Sequence, residues 1–198
     1  MKTIIVNSYR INPEEKIAHY IECVSKHSDF VVITDVRIYD FDVTDYDALI
    51  LSGSPDLVSR GGFSKSYLEF LKYNRLPTLG ICYGHQLLAK AFGADINSHR
   101  CRIEGEVTVR IVKPDPIFEG LPTEFLVQES HQEYVEKSSL ARAGFELLAV
   151  SETCEVEAIK HIEYCLYGVQ FHPERSGSNG QLIFDNFFAI IKKLRGII

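Results

Sequence analysis

Long apolar runs, clusters of Lys or Arg, cysteine pairs and phosphate-loop glycines are all missing from this sequence, and each absence narrows what it can do. No apolar stretch approaches the roughly 20 residues a helix needs to cross a bilayer, so a membrane is not expected as a partner. The formal net charge is −6, with no basic run to offset it, so there is no electrostatic pull toward nucleic acid. No C-x-x-C occurs, and the five cysteines (Cys23, Cys82, Cys101, Cys154 and Cys165) are odd in number and irregular in spacing. That argues for reduced thiols in a cytosol, against both a disulfide framework and a zinc site. Neither G-x-x-x-x-G-K-[ST] nor G-x-G-x-x-G is present, and Gly61-Gly62 is too slight for a phosphate loop. No H-x-x-x-H or E-x-x-H spacing points to a metal. Cofactors are therefore not expected.

What remains is an ordinary globular composition: 198 residues, 45% apolar and 24% charged. The start, Met1 to Asn7, is too short an apolar stretch for a signal peptide and reads as a first strand. Strand and helix patterns then alternate, the mark of a mostly parallel sheet with helices on its faces. Lys2–Val6, Phe30–Thr34, Ala48–Ser52, Pro77–Cys82 and Cys165–Phe171 read as buried strands. Pro13–Ser25, Ser66–Tyr73, Gln86–Phe92 and Leu182–Leu194 read as helices, the first with Asn12 as N-cap and Pro13 at its first position. Between them, Glu106–Val112, Glu124–Gln128 and Glu146–Ser151 suggest a small antiparallel patch. With no repeat, low-complexity segment or linker, residues 1–198 are read as one domain. Cys101 and Cys154 are read as packing residues.

The most informative stretch is Leu79-Gly80-Ile81-Cys82-Tyr83-Gly84-His85-Gln86. An apolar strand runs straight into a helix with a cysteine at the junction and glycines two residues to either side. Such a turn places a side chain on a sharp bend where the backbone needs small neighbours. It aims the sulfur out at the carboxyl end of the sheet, where open α/β folds build their sites. The helix N-terminus favours thiolate over thiol and leaves N–H groups free to meet an oxyanion. The bland alternative, a buried structural cysteine beside turn glycines, would fit a lone cysteine better than this motif.

A nucleophilic cysteine needs a histidine, usually distant in sequence. His172 ends the strand Tyr167-Gly168-Val169-Gln170-Phe171. Pro173 stops the ladder there, and Glu174 stands where its carboxylate could fix the imidazole's tautomer. Alone, His-Pro-Glu could be a polar turn after an edge strand; beside the cysteine elbow it reads as base and orienter. The other histidines, His19, His27, His85, His99 and His161, read as solvated or structural.

Together these motifs resemble the class I (triad-type) glutamine amidotransferases, which carry G-x-C-x-G-x-Q at the nucleophile and H-P-E at the base. A third family element, usually S-G-G-P, is matched by Ser52-Gly53-Ser54-Pro55. Within the family the likeness is to the glutaminase part of GMP synthetases, and in size to the free-standing archaeal form. That subgroup's S-H-x-D-x-V is matched by Ser130 to Val135, and its C-x-V-E-A-x-x-H by Cys154 to His161. The resemblance implies an α/β fold with an open, mostly parallel sheet, and a Cys82-His172-Glu174 triad that releases ammonia from glutamine. The backbone N–H groups of Ser54 and Tyr83 would meet the oxyanion. Gln86, Ser130, His131 and Glu133 would bind the substrate, with Glu133 on its α-amino group. Gln86 could equally tie down a loop, and His131 could be a structural hydrogen bond. A chain that makes ammonia but activates no acceptor implies a separate ATP-pyrophosphatase synthetase subunit, with XMP as the acceptor.

Three departures stand out. Ser54 replaces the usual glycine, Glu133 replaces aspartate, and Arg175-Ser176 follows H-P-E where the subgroup has Val and a Thr/His pair. They keep other readings in view: a stand-alone γ-glutamyl hydrolase, the glutaminase of another pathway such as imidazole glycerol phosphate synthase, or a non-catalytic glutamine-binding regulator.

Overall fold

A computed structural model describes residues 1–197. In chain order the elements are β1 (Lys2–Asn7), α1 (Pro13–Ser25), β2 (Asp29–Thr34), β3 (Ala48–Leu51), α2 (Lys65–Tyr73), β4 (Thr78–Ile81), α3 (Tyr83–Ala91), β5 (Ile96–Ile111), β6 (Glu124–Val135), β7 (Phe145–Ser151), β8 (Ala158–His161), β9 (Leu166–Val169) and α4 (Gly177–Leu194). The nine strands lie in one sheet in the order β2-β1-β3-β4-β9-β8-β7-β5-β6. From β2 to β9 every pairing is parallel. From β9 to β6 every pairing is antiparallel.

The parallel strands are short continuous apolar runs because helices cover both faces. Side chains alternate between those faces. Ile5, Ile50, Leu79 and Tyr167 share a core with Ile17 and Tyr20 of α1 and with Phe184, Phe187 and Phe188 of α4. Ile4, Val6, Leu49, Leu51 and Leu166 share the other with Tyr67 and Leu71 of α2 and with Leu87 and Leu88 of α3. The α/β class read from the sequence therefore holds, while the antiparallel part is larger than its pattern indicates. β5 alone runs 16 residues.

That antiparallel half matters because it curls. β6 ends the strand order, yet the N–H of His172 donates to the carbonyl of Gln128 at 2.8 Å. The Gln86 amide likewise donates to the carbonyl of Glu133 at 2.7 Å. β6 thus returns over the carboxyl ends of β4 and β9.

Three expectations need correction. Asn12 stands at the N-cap position, but with φ of 49° its side chain makes no capping bond; its amide instead donates to Glu15 at 3.3 Å. α3 begins at Tyr83, directly after the cysteine, because that residue itself makes the turn. Cys101 is exposed on β5 and packs no core, whereas Cys154 is buried.

Candidate active site

Cys82 is the junction between β4 and α3, and its backbone carries the cost of the bend. Its φ of 52° and ψ of −105° lie where L-residues rarely go. Asn12 is the other described non-glycine residue with positive φ. The Cys82 N–H donates to the carbonyl of Val169 at 2.8 Å, which ties the turn to β9. The flanking glycines are steric requirements. A Cβ on Gly80 would stand 2.6 Å from the carbonyl oxygen of Gly84, and one on Gly84 would stand 2.5 Å from that of Leu51.

His172 follows β9 and is almost wholly buried. Its Nδ1 lies 2.7 Å from Oε1 of Glu174, whose side chain is also buried. Carboxylates only accept, so Nδ1 carries the proton and Nε2 is left without a partner. Burial opposes the imidazolium, but Glu174 and then Cys82 outweigh it and push His172 up to about 9. Burial likewise opposes the charge on Glu174, yet His172 and then Arg175 hold its carboxyl below the usual range. The hydroxyl of Ser176 donates to the carbonyl of His172 at 2.7 Å and accepts from the N–H of Gln128 at 2.9 Å, which fixes the turn from behind.

The turn after β3 completes the constellation. The N–H of Gly53 donates to the hydroxyl of Tyr20 at 2.9 Å, and the N–H of Ser8 donates to Ser52 Oγ at 2.9 Å. A Cβ on Gly53 would meet the Tyr9 hydroxyl at 2.8 Å and Cε1 of His172 at 3.1 Å, so only glycine lets the turn come this close. Ser54 keeps a backbone that L-residues tolerate, since it is absent from the positive-φ set. Among the described residues, neither its N–H nor that of Tyr83 donates a hydrogen bond. A cleft of about 250 Å³ opens here, lined by Tyr9, Ser54, Arg102, Ser130, His172 and Arg175 among others. A thiol at a strained turn, an imidazole oriented by a carboxylate and unused N–H donors have the chemistry of acyl transfer through a thioester.

The profile of the glutamine amidotransferase class-I family matches residues 6–191. The chain belongs to the class-I glutamine amidotransferases. It is 43% identical over 150 residues to the glutamine-hydrolysing GMP synthase subunit of Archaeoglobus fulgidus, covering 75% of this chain and 78% of that one. It is 34% identical over 192 residues to the protein of the same name from Methanobrevibacter smithii, covering 96% and 97%. A candidate GMP synthase subunit from Thermoplasma acidophilum has the same fold, with a TM-score of 0.84, 28% identity, and coverage of 100% of this chain and 96% of that one.

In this amidotransferase the four substrate-binding candidates are not all alike. Ser130 lines the cleft, and its carbonyl lies 3.9 Å from the sulfur of Cys82. Gln86 is buried, its amide bonded to Glu133 O at 2.7 Å and to Gln170 Oε1 at 3.1 Å, so it braces α3 against β6 and the end of β9. Nδ1 of His131 bonds its own strand, at Glu133 O, 3.0 Å away. Glu133 is bonded within the fold. Its carboxylate accepts from the N–H groups of Val58 and Ser59, at 2.6 and 3.1 Å, and lies outside the cleft lining. A buried carboxylate that accepts from two amides holds the 58–60 turn.

Tyr9, Tyr20, Arg102 and Ser176 also bond the turns and strands around the cleft, and sequence reasoning assigned them no role. Tyr20, Arg102 and Ser176 each bond a residue far along the chain, namely Gly53, Ser130 and Gln128. Arg102, on β5, donates to Ser130 Oγ at 2.7 Å. Burial, and after it Glu174, keeps the Tyr9 phenol strongly protonated, so it remains a neutral donor at the cleft wall.

Proposed function

We propose that this amidotransferase is the glutamine-hydrolysing subunit of a GMP synthase, handing ammonia to a separate ATP-using subunit that aminates XMP. The relatives bearing that name cover most of their own length with this chain, which supports the reading. The observation that carries the chemistry is the buried His172–Glu174 pair, 2.7 Å apart, beside a cysteine held at positive φ. Residues 1–198 are read as one amidotransferase domain, supported by the single sheet and the breadth of the family match. Among the described residues no helix is long and apolar enough to cross a membrane, and a cytosolic setting suits five free thiols.

In this mechanism the sulfur of Cys82, its proton held by His172, attacks the side-chain amide carbon of glutamine. A C–S bond forms and the carbonyl electrons move to oxygen. The N–H groups of Ser54 and Tyr83 meet that oxyanion; preorganised donors of this kind contribute about 3–4 kcal/mol each. The intermediate collapses, the C–N bond breaks, and His172 gives its proton to the departing ammonia. Water then cleaves the thioester with His172 as base, yielding glutamate. Ser130 lines the substrate path, while Gln86, His131 and Glu133 brace it.

Glutamine hydrolysis by the purified chain, wild type beside Cys82→Ala, tests this reading, with and without an ATP-pyrophosphatase subunit supplied with XMP and ATP. Hydrolysis that requires Cys82 and rises with that subunit is expected. Full activity in Cys82→Ala would overturn the mechanism. Cys82-dependent activity indifferent to the partner would return the pathway to the hydrolase alternative.

A further inference from the structure

Glutamine brings a reacting amide at one end and a charged carboxylate at the other, and the reaction as derived accounts only for the first. Four bonds separate the amide carbon from the α-carboxyl carbon, a span of about 5 Å. The group that takes the carboxylate must therefore stand near the sulfur. Lys16, Arg102 and Arg175 are the Lys and Arg side chains that line the cleft. Arg175 lies 3.6 Å from Glu174, the carboxylate that orients the base. Lys16 lies on α1, with no ion pair among the described residues to fix its ammonium group.

Arg102 is fixed, and fixed close to the nucleophile. Its Nη2 donates to Ser130 Oγ at 2.7 Å and reaches Ser130 O at 3.4 Å. That same carbonyl oxygen is 3.9 Å from the sulfur of Cys82. The guanidinium and the sulfur thus share one neighbouring oxygen, and Nη2 is no farther from the sulfur than those two distances together. Nε lies 3.2 Å from Oε1 of Glu104, which also accepts from Ser130 Oγ at 3.3 Å. The strand explains the placement. β5 and β6 pair without interruption from Ile103 to Arg110, and their register shifts between Ser98 and Ile103. Arg102 stands at the edge of that irregularity, where a side chain is re-aimed out of the regular pleat. Glu104, two residues on, faces Ser130 across the ladder.

We propose that Arg102 binds the α-carboxylate of free glutamine and so restricts the enzyme to substrates in which that carboxylate is unblocked. The proposal rests on the glutaminase reading. A guanidinium carries five N–H donors in one plane. The contacts with Glu104 and Ser130 use Nε and Nη2, and Nη1 has no partner among the described residues. The side chain is about half exposed and lines the cleft, so its free edge is within reach of a ligand. A carboxylate meets such an edge with both oxygens. Glu104 does not cancel the charge, because an exposed ion pair is weak in water. Its contact at Nε sets the plane of the guanidinium and leaves the Nη1 edge free.

The test compares L-glutamine with L-glutaminamide, whose α-carboxylate is replaced by a neutral amide, in wild type, Arg102→Met and Arg102→Lys. Arg102→Met is expected to raise KM for glutamine about 10- to 100-fold and to leave kcat within about threefold, as loss of a charge-assisted bond made equally in ground and transition states requires. Its KM for glutaminamide should match the wild-type value. Arg102→Lys should fall between, keeping the charge without the paired geometry. A side chain that only braced Ser130 would, once removed, weaken both substrates alike and lower kcat. That outcome, or an unchanged KM for glutamine in Arg102→Met, would overturn the proposal. A second readout needs no turnover. Calorimetry on Cys82→Ala, with and without Arg102→Met, compares the affinities for the two ligands. A preference for glutamine that disappears with Arg102 is expected, and no preference in either protein would overturn the proposal. That same preference in a chain whose wild type hydrolyses neither compound would sink the glutaminase reading and leave the carboxylate site standing.

Discussion

A cysteine at positive φ and a charged imidazole in a dry site are each costly, and at the residue scale each explains the other. The elbow costs on the order of 1–3 kcal/mol in backbone strain, and it sets Cys82 where it helps hold the proton on His172. The charge on Glu174 is the largest single contribution to that hold. A histidine raised to about 9 contributes stability that is complete below its unfolded value near 6.5 and is lost as pH climbs through 9. Replacing Glu174 with Gln keeps a hydrogen-bond acceptor and removes the charge. We expect Glu174→Gln to lower kcat for glutamine hydrolysis by about 10²–10⁴-fold. The loss of Tm between pH 6.5 and 9 should shrink in the same variant, because less imidazolium is there to lose. Wild-type pH dependence of both quantities in Glu174→Gln would show that Nδ1 of His172 has another effective partner.

Among the elements, those that read clearly from sequence are those whose local pattern and tertiary role agree. The β4–α3 elbow is one: its glycines announce a close approach, and the structure sets Gly84 against the carbonyl of Leu51. β9 is another, although it ends at Val169, three residues before the histidine, so Pro173 shapes the turn that follows and not the end of the ladder. β5 reads poorly. Most of its 16 residues are not buried, and pairing with β6 rather than an apolar face holds it in place, with an irregularity between Ser98 and Ile103, so period-2 alternation is faint. β8 is four residues long and follows a loop, too short for a pattern to register. Glu133 is hard to read for a different reason. The resemblance points to it as a partner of the substrate's α-amino group, and nothing local reveals that the amides of Val58 and Ser59 bond it from 75 and 74 residues away. The elbow also yields a prediction. A methyl group on Gly84 would meet the carbonyl of Leu51 at 2.5 Å, and β3 cannot yield without disturbing the sheet. Gly84→Ala should destabilise the protein by about 1–3 kcal/mol or more, read from the denaturant midpoint. It should also reduce glutamine hydrolysis by displacing Cys82. A variant as stable and active as wild type would mean that α3 can slide away from β3.

The whole molecule directs its chemistry to one face. The parallel half brings the ends of β3, β4 and β9 together, and the antiparallel half curls until β6 closes over them. One cleft lies between, lined by Lys16, Arg102 and Arg175 against Glu15 and Glu174; Arg102 is paired with Glu104 and Arg175 with Glu174, which leaves Lys16 as the cation without an ion pair among the described residues that line it. Ammonia released into open water is lost to protonation, so the protein that consumes it must cover the mouth of that cleft. Charges at the edge of such a contact act mainly on association rate and salt dependence. Lys16 lies on α1, exposed and without an ion pair among the described residues, so reversing its charge tests the face without touching the thiol, the imidazole or the turn. Lys16→Glu is expected to weaken binding of the ATP-pyrophosphatase subunit several-fold at low ionic strength, and less at about 0.5 M salt, where the Debye length falls to about 4 Å. Hydrolysis by the isolated chain should remain at the wild-type rate. Equal affinity of the two proteins at both salt concentrations would move the docking face away from α1, and a matching loss of isolated activity would place Lys16 in the glutamine site instead.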